Sequence, residues 1–388
     1  MAGEFCLAPL VDRRDAELMF EVLVFLTTHR RGLEAGRIEA MLTEKSDCER
    51  LGRRRALRTA MNFGLGVLAH LGLGAGYGAN SFLKNASADD LGGESSSTGL
   101  ATEKASLVDG IGLGFGTYGM KGLPVLEAIK QTGRIGYRGL EFCLIDGWPT
   151  SIPALTTVGI STVNGALGAS DLVVPSLLES LPCLGGRERH EENLRRLRAA
   201  TSFAKQLNQP VPPVVQSIVG GRSGDWERSK DQLVSELRGW AEVAEQSGVL
   251  ICFKPHASHL VSRPEQALWV IEQVGSERLR LVYDYSHYYL EGLGLEESLD
   301  ALLPATPYIQ VKDSRGELGK HQYLLPGDGE TDYALMFTHL YKKGYHGFVN
   351  VEVSSMIHRQ TGYDPIASAE ICFARLDPIM QRAREAVQ

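Results

Sequence analysis

The sequence predicts a TIM (β/α)8 barrel over residues 105–388, preceded by a mostly irregular or helical, signal-like N-terminal extension. Three observations predict the barrel. From about residue 106, short apolar runs alternate with longer amphipathic segments, the pattern of βα units built on a parallel sheet. The length of that stretch suits eight such units. Polar residues able to do chemistry collect at the C-terminal ends of the apolar runs, where barrels keep their active sites.

The elements follow in order. Residues 111–117 form a first strand. Glycines at 110, 112, 114 and 116 alternate at period two and do not make G-x-G-x-x-G, so this is strand and not a nucleotide loop. That weighs against an open doubly wound sheet. A helix over 122–132 ends at Gly133. Strands follow at 139–144 and 172–179, then a strongly amphipathic helix at 188–206. The fourth strand is 213–219 with a helix at 226–246. The fifth is 249–255 with 263–274, and the sixth is 279–284 with a short helix at 295–303. The seventh is 308–312 with 333–343. The eighth is 348–353, closed by a helix at 366–385. Residues 150–171 fit least well: they carry almost no charge, many β-branched residues and three glycines, all poor helix material. An irregular or degenerate element is expected there, or a local reading-frame error.

The chain has 388 residues, 43% hydrophobic and 22% charged, the proportions of a globular protein with a core. A net charge of −7, with no clustered Lys and Arg in the barrel stretch, points away from nucleic acid. The 6 cysteines form no C-x-x-C pair, and Cys143 and Cys252 lie in apolar runs as small buried hydrophobes.

The extension, residues 1–104, is different in kind. Residues 16–44 look helical, with Leu18, Phe20, Leu23 and Phe25 among charges. Arg53-Arg54-Arg55-Ala56-Leu57-Arg58 precedes a Gly-rich apolar run at 60–79, and a polar stretch follows at 85–99. Ala86-Ser87-Ala88 is a small-x-small cleavage site. Over about 53–88 these are the parts of a twin-arginine export signal, which would place the mature protein in the periplasm; without it the protein is cytoplasmic. An amphipathic helix with a basic face is the alternative. The run is weakly hydrophobic, with His70 near its middle, so no stable membrane span is expected in the mature form. A signal normally begins near residue 1, and a true start at Met41 or later would reconcile the position. Residues 95–102 read as a linker.

The strand ends supply the candidate site. They offer Glu141 and Asp146, Glu179, Gln216, then Lys254-Pro255-His256, Asp284-Tyr285-Ser286-His287, Gln310-Val311-Lys312-Asp313 and Glu352. Pro326-Gly327-Asp328-Gly329, Asp332 and Gly344-Tyr345-His346-Gly347 complete the set. Six motifs in this order at barrel spacing resemble the sugar phosphate isomerase/epimerase family, with its xylose-isomerase-like barrel. The match runs from about 106 to 380 and is densest from 249 to 354.

That resemblance implies a divalent metal (Mn, Mg, Co or Zn) held by a Glu of strand five, the Asp of strand six, a His of strand seven and the Glu of strand eight. It also implies two Glu residues that move a proton between neighbouring sugar carbons. Asp284 and Glu352 keep their places. Lys254 stands where the first Glu belongs and Gln310 where the His belongs. An ammonium has no lone pair for a metal, and near a cation it repels by several kcal/mol (order of magnitude, effective dielectric ~20). Three readings follow. A rearranged metal site uses Asp284, Glu352 and Gln310; or Lys254 replaces the metal and acts as electrostatic or basic group; or the site is dead and the barrel only binds carbohydrate.

Glu352, Lys254 and His287 are the expected catalytic residues. His256, His287, Lys312 and Trp148 are the expected substrate contacts. Asp284 equally suits a helix cap. Glu352, a carboxylate inside an apolar strand, needs a cation partner: Lys254, Lys312 or a metal. His256 and His259 suit a plain surface role as well, and His321 stands where it could cover the site. Trp226 and Tyr118, like Trp148, suit packing or sugar stacking. The expected function is an isomerase, epimerase or related lyase acting on a small-molecule sugar through an enediol or enolate. A non-catalytic sugar-binding barrel is the second reading. An apurinic endonuclease ranks last, because the strand ends lack its His/Glu-rich metal cluster.

Overall fold

In the computed structural model, which describes residues 110–388, the eight expected strands close into a barrel. The strands are β1 (Gly112–Gly116), β2 (Gly139–Cys143), β3 (Ser176–Leu178), β4 (Val214–Ile218), β5 (Ile251–Lys254), β6 (Leu279–Tyr283), β7 (Tyr308–Val311) and β10 (Phe348–Val351). Each pairs in parallel with its neighbours, and β10 returns to β1. The helices around them are α1 (Val125–Ile135), α4 (Gly186–Ala204), α5 (Trp226–Ser247), α6 (Pro264–Val274), α8 (Leu295–Leu302), α9 (Tyr333–Lys342), the short α10 (Ser355–His358) and α11 (Pro365–Val387). The signal-like segment 53–88 and the helical expectation for 16–44 lie outside the described residues. Among the described residues no helix is long and apolar enough to cross a membrane.

Residues 150–171 correct the sequence reading. They form two short helices, α2 (Ile152–Val158) and α3 (Ile160–Ala169), broken at Gly159 with φ +93°. Tertiary packing overrides the weak propensity: Leu155, Val163 and Leu167 are buried in the core. Asn164 clamps the pair to the turn after α4, donating to the Gln206 carbonyl and accepting from the Asn208 N–H, both at 3.1 Å.

Strand alternation sorts the interior into layers. Cys252, Val282, Tyr308 and Phe348 pack together at the base. Two residues on along β5, β6, β7 and β10, the same faces carry Lys254, Asp284, Gln310 and Asn350. Two further again stand Lys312 and Glu352, at the C-terminal mouth. The glycines of β1 make room for this filling: a Cβ on Gly112 would lie 2.5 Å from the Phe348 ring, and one on Gly114 2.5 Å from Asn350 Oδ1.

Candidate active site

At the mouth, two lysines share two carboxylates. Lys254 Nζ donates to Gln310 Oε1 and Glu352 Oε2, each at 2.7 Å, and lies 3.7 Å from Asp284 Oδ2. Lys312 Nζ donates to Asp284 Oδ2 at 2.5 Å and Glu352 Oε2 at 2.8 Å. The Asp284 side chain is fully buried, whereas that of Glu352 is 12% exposed and faces the opening. Burial alone would raise the Glu352 pKa. The charges and hydrogen bonds of Lys254 and Lys312 outweigh it and hold the carboxyl well below its usual range. Burial likewise disfavours the Lys312 ammonium, and Asp284 with Glu352 reverses that, pushing its pKa up.

Beneath this cluster Glu141 is fully buried. It accepts from Gln216 Nε2 at 2.7 Å, Gln310 Nε2 at 2.9 Å and the Tyr308 hydroxyl at 3.0 Å. Burial raises its pKa in spite of those donors. Gln310 therefore joins the two layers, its amide nitrogen on Glu141 and its amide oxygen on Lys254.

Asp284 takes the helix-cap role and meets a lysine where a metal was expected. Oδ1 caps α7 (Tyr285–Leu290), accepting from Ser286 N at 3.2 Å and Ser286 Oγ at 2.7 Å, while Oδ2 takes Lys312. The cap carries His287 into the site on the first turn of α7. Its Nε2 lies 3.2 Å from Lys312 Nζ, and its Nδ1 lies 2.9 Å from the Tyr323 hydroxyl. The His256 ring sits against it at 3.7 Å between centroids and against His259 at 4.2 Å, so these histidines form a stack rather than a surface pair.

Tyr323 was not among the expected site residues. It arrives on a hairpin of β8 (Asp313–Arg315) and β9 (Gln322–Leu324). Asp313 anchors that hairpin by accepting from the N–H groups of Gly327 at 2.8 Å and of Gly329 and Thr331 at 3.0 Å. Gly329 is required there, since a Cβ would lie 2.5 Å from the Ser314 carbonyl oxygen. His321, expected to cover the site, packs its ring on Tyr323 instead, 4.8 Å away.

Other expected residues play packing or peripheral parts. Trp148 is 8% exposed and stacks on Tyr118 at 5.4 Å, with Lys121 Nζ 4.2 Å from its ring centre, so its ring has the protein partners of the packing alternative. Trp226 packs edge-on against Trp269. Glu179 and Asp146 are bridged by Arg196, at 2.7 and 2.8 Å.

The histidines give a pH prediction. Burial is the main cause that holds His256 and His287 well below the usual imidazole value, reinforced by neighbouring imidazoles and by Lys312 and Lys254. As pH falls through about 6.5 the unfolded chain takes up these protons and the folded one does not, so stability is present above that pH and declines below it. Urea unfolding at pH 7 and pH 5 is expected to show this loss, and His287→Gln to reduce it.

A divalent cation does not fit this arrangement. The Lys254 ammonium already stands among Gln310, Glu352 and Asp284, the three side chains expected to hold one. Asp284 Oδ2, Glu352 Oε2 and Gln310 Oε1 all accept from lysines, so the residues at the expected ligand positions are arranged here around ammonium groups. Among the described residues, no group of three or more His, Cys, Asp or Glu side chains is placed to hold a metal.

Fold and site together define a (β/α)8 barrel with a charge-paired polar centre at its C-terminal mouth. The chain belongs to the xylose isomerase-like TIM barrel family, whose model matches residues 129–370. The fructoselysine 3-epimerase of Escherichia coli O157:H7 is 23% identical over 253 residues, 63% of this chain and 90% of that one. The inosose dehydratase of Geobacillus kaustophilus is 26% identical over 256 residues, 58% and 79% of the two chains. Among solved structures, the IOLI protein with a binding zinc atom superposes with a TM-score of 0.59 at 18% identity, covering 70% of this chain and 99% of that one.

Proposed function

We propose that this barrel catalyses proton transfer next to the carbonyl of a sugar or sugar derivative, with Lys254 and Lys312 in place of a divalent metal. The observation that carries the reading is Glu352, with one carboxylate oxygen fixed between two ammonium groups and its side chain open to the mouth. A carbonyl oxygen of the substrate takes over from Glu352 one N–H of each lysine, since the three of Lys312 are held by Asp284, Glu352 and His287. Polarised by the lysines, the substrate loses a proton from the neighbouring carbon to Glu352. The C–H electron pair becomes the C=C bond and the carbonyl π pair moves to oxygen, where the ammonium groups stabilise it. Sharing the lysines with the substrate also relieves Glu352 of part of the field that depresses its basicity. Lys312, held as an ammonium by its two carboxylates, is suited to electrostatic work and not to Schiff-base formation. Epimerisation beside a carbonyl and dehydration across one both begin with this proton removal, so the relatives' named activities support the reading.

The test is incubation of ketoses and keto-polyols with the protein in heavy water containing a metal chelator. Carbon-bound deuterium next to the carbonyl is expected, undiminished by the chelator. Thermal stabilisation by sugars with no exchange would favour a carbohydrate-binding barrel instead.

A further inference from the structure

We propose that Tyr323 is a catalytic acid that carries the hydroxyl proton between the two oxygens of an enediolate, so that the reaction is a one-base aldose–ketose isomerisation. This rests on the enolate reading above.

The hydrogen positions follow from the partners. The buried Lys312 ammonium has only donors to offer, so His287 Nε2, 3.2 Å away, must be the acceptor. The ring is fully buried against His256 and beside a cation, so it stays neutral. Its single N–H is therefore on Nδ1 and is donated to the Tyr323 oxygen at 2.9 Å. The phenol's own hydrogen then has no acceptor among the described residues. It is left for a substrate; the His287 N–H and the Lys312 ammonium favour the phenolate that its loss creates, against burial, which pushes the phenol's pKa up.

Geometry also limits the carbon chemistry to one base. Asp284 has both oxygens engaged, by Ser286 and Lys312, and no exposed side-chain surface. Lys254 occupies the strand-five position, and of the two carboxylates that the lysines share only Glu352 opens to the mouth. Lys312 Nζ lies 2.8 Å from Glu352 and 5.1 Å from the Tyr323 ring centre, so a substrate oxygen on that ammonium has the carboxylate and the phenol near it. Glu352 removes the C1 proton of a ketose, and the C2 oxygen becomes the oxyanion. The Tyr323 O–H bond breaks and its proton goes to that oxygen. The phenolate then takes the proton from the C1 hydroxyl. The O1 pair forms the new C1 carbonyl, the C=C pair takes the proton back from Glu352 at C2, and both side chains are restored.

Wild type, Tyr323→Phe and Glu352→Gln are compared on one ketose panel in heavy water, scoring deuterium in recovered substrate and product formation separately. Tyr323→Phe is expected to exchange within about threefold of wild type while losing product by about 100-fold, and Glu352→Gln to lose both. Wild-type turnover in Tyr323→Phe overturns the inference alone. So does loss of exchange together with product in a Tyr323→Phe protein that melts like wild type, or an epimer as the product. A wild type that neither exchanges nor turns over overturns the enolate reading, and this inference with it. Imidazole 15N spectra of the resting protein test the relay without activity: a hydrogen on His287 Nδ1 supports it, and one on Nε2 overturns it.

Discussion

Glu352→Gln is expected to lower turnover by about 10²–10⁴-fold, the range assigned to a general base, with proton exchange falling in parallel. The substitution keeps the shape of the side chain and an oxygen that accepts from Lys254 and Lys312. It removes the only carboxylate of the cluster that opens to the substrate. Loss of exchange and turnover by the same factor would show that the missing step is carbon deprotonation. A larger rise in KM than fall in kcat would instead assign Glu352 to binding. The melting temperature identifies any contribution from misfolding, because one buried negative charge has also been removed from between two ammonium groups.

Lys312→Met is expected to cost about 3–5 kcal/mol at pH 7, the penalty for stranding a buried partner charge. Asp284, with a side chain fully out of solvent, loses its 2.5 Å partner and keeps Lys254 only at 3.7 Å, while Glu352 loses one of its two cations. Acid neutralises a stranded carboxylate and so removes the penalty of burying its charge. The deficit relative to wild type should therefore shrink as pH falls toward 5. Chemical unfolding of both proteins at pH 7 and 5 checks this. An equal deficit at both pH values would mean that the lysine acts through packing alone.

The period of a β-strand made the barrel and most of its mouth legible in sequence. Residues 252 and 254, 282 and 284, 308 to 312 and 348 to 352 had to alternate inward, so the convergence of Lys254, Asp284, Gln310 and Glu352 followed from strand ends alone. What could not be read was who shares whom. That Gln310 faces Glu141 with one end and Lys254 with the other depends on the stagger of strands distant in sequence. Tyr323 was missed for a related reason. Its strand pairs only after the Asp313 carboxylate has gathered the Pro-Gly-Asp-Gly turn, and the visible signal was a short polar-aromatic run attributed to His321. The helices at 152–169 were hidden because their stability comes from burying Leu155, Val163 and Leu167, not from helix-forming composition.

Everything proposed about the chemistry depends on an ammonium group occupying the place where relatives' ligands would meet a cation. Elemental analysis and zinc and manganese titration of the purified wild type, beside the Lys254→Glu/Gln310→His double variant, measure that directly. The wild type should carry no stoichiometric metal and show no saturable high-affinity site, and the double variant should gain one. One tightly held divalent ion per wild-type chain, lost on mutation of Asp284 or Glu352, would contradict it.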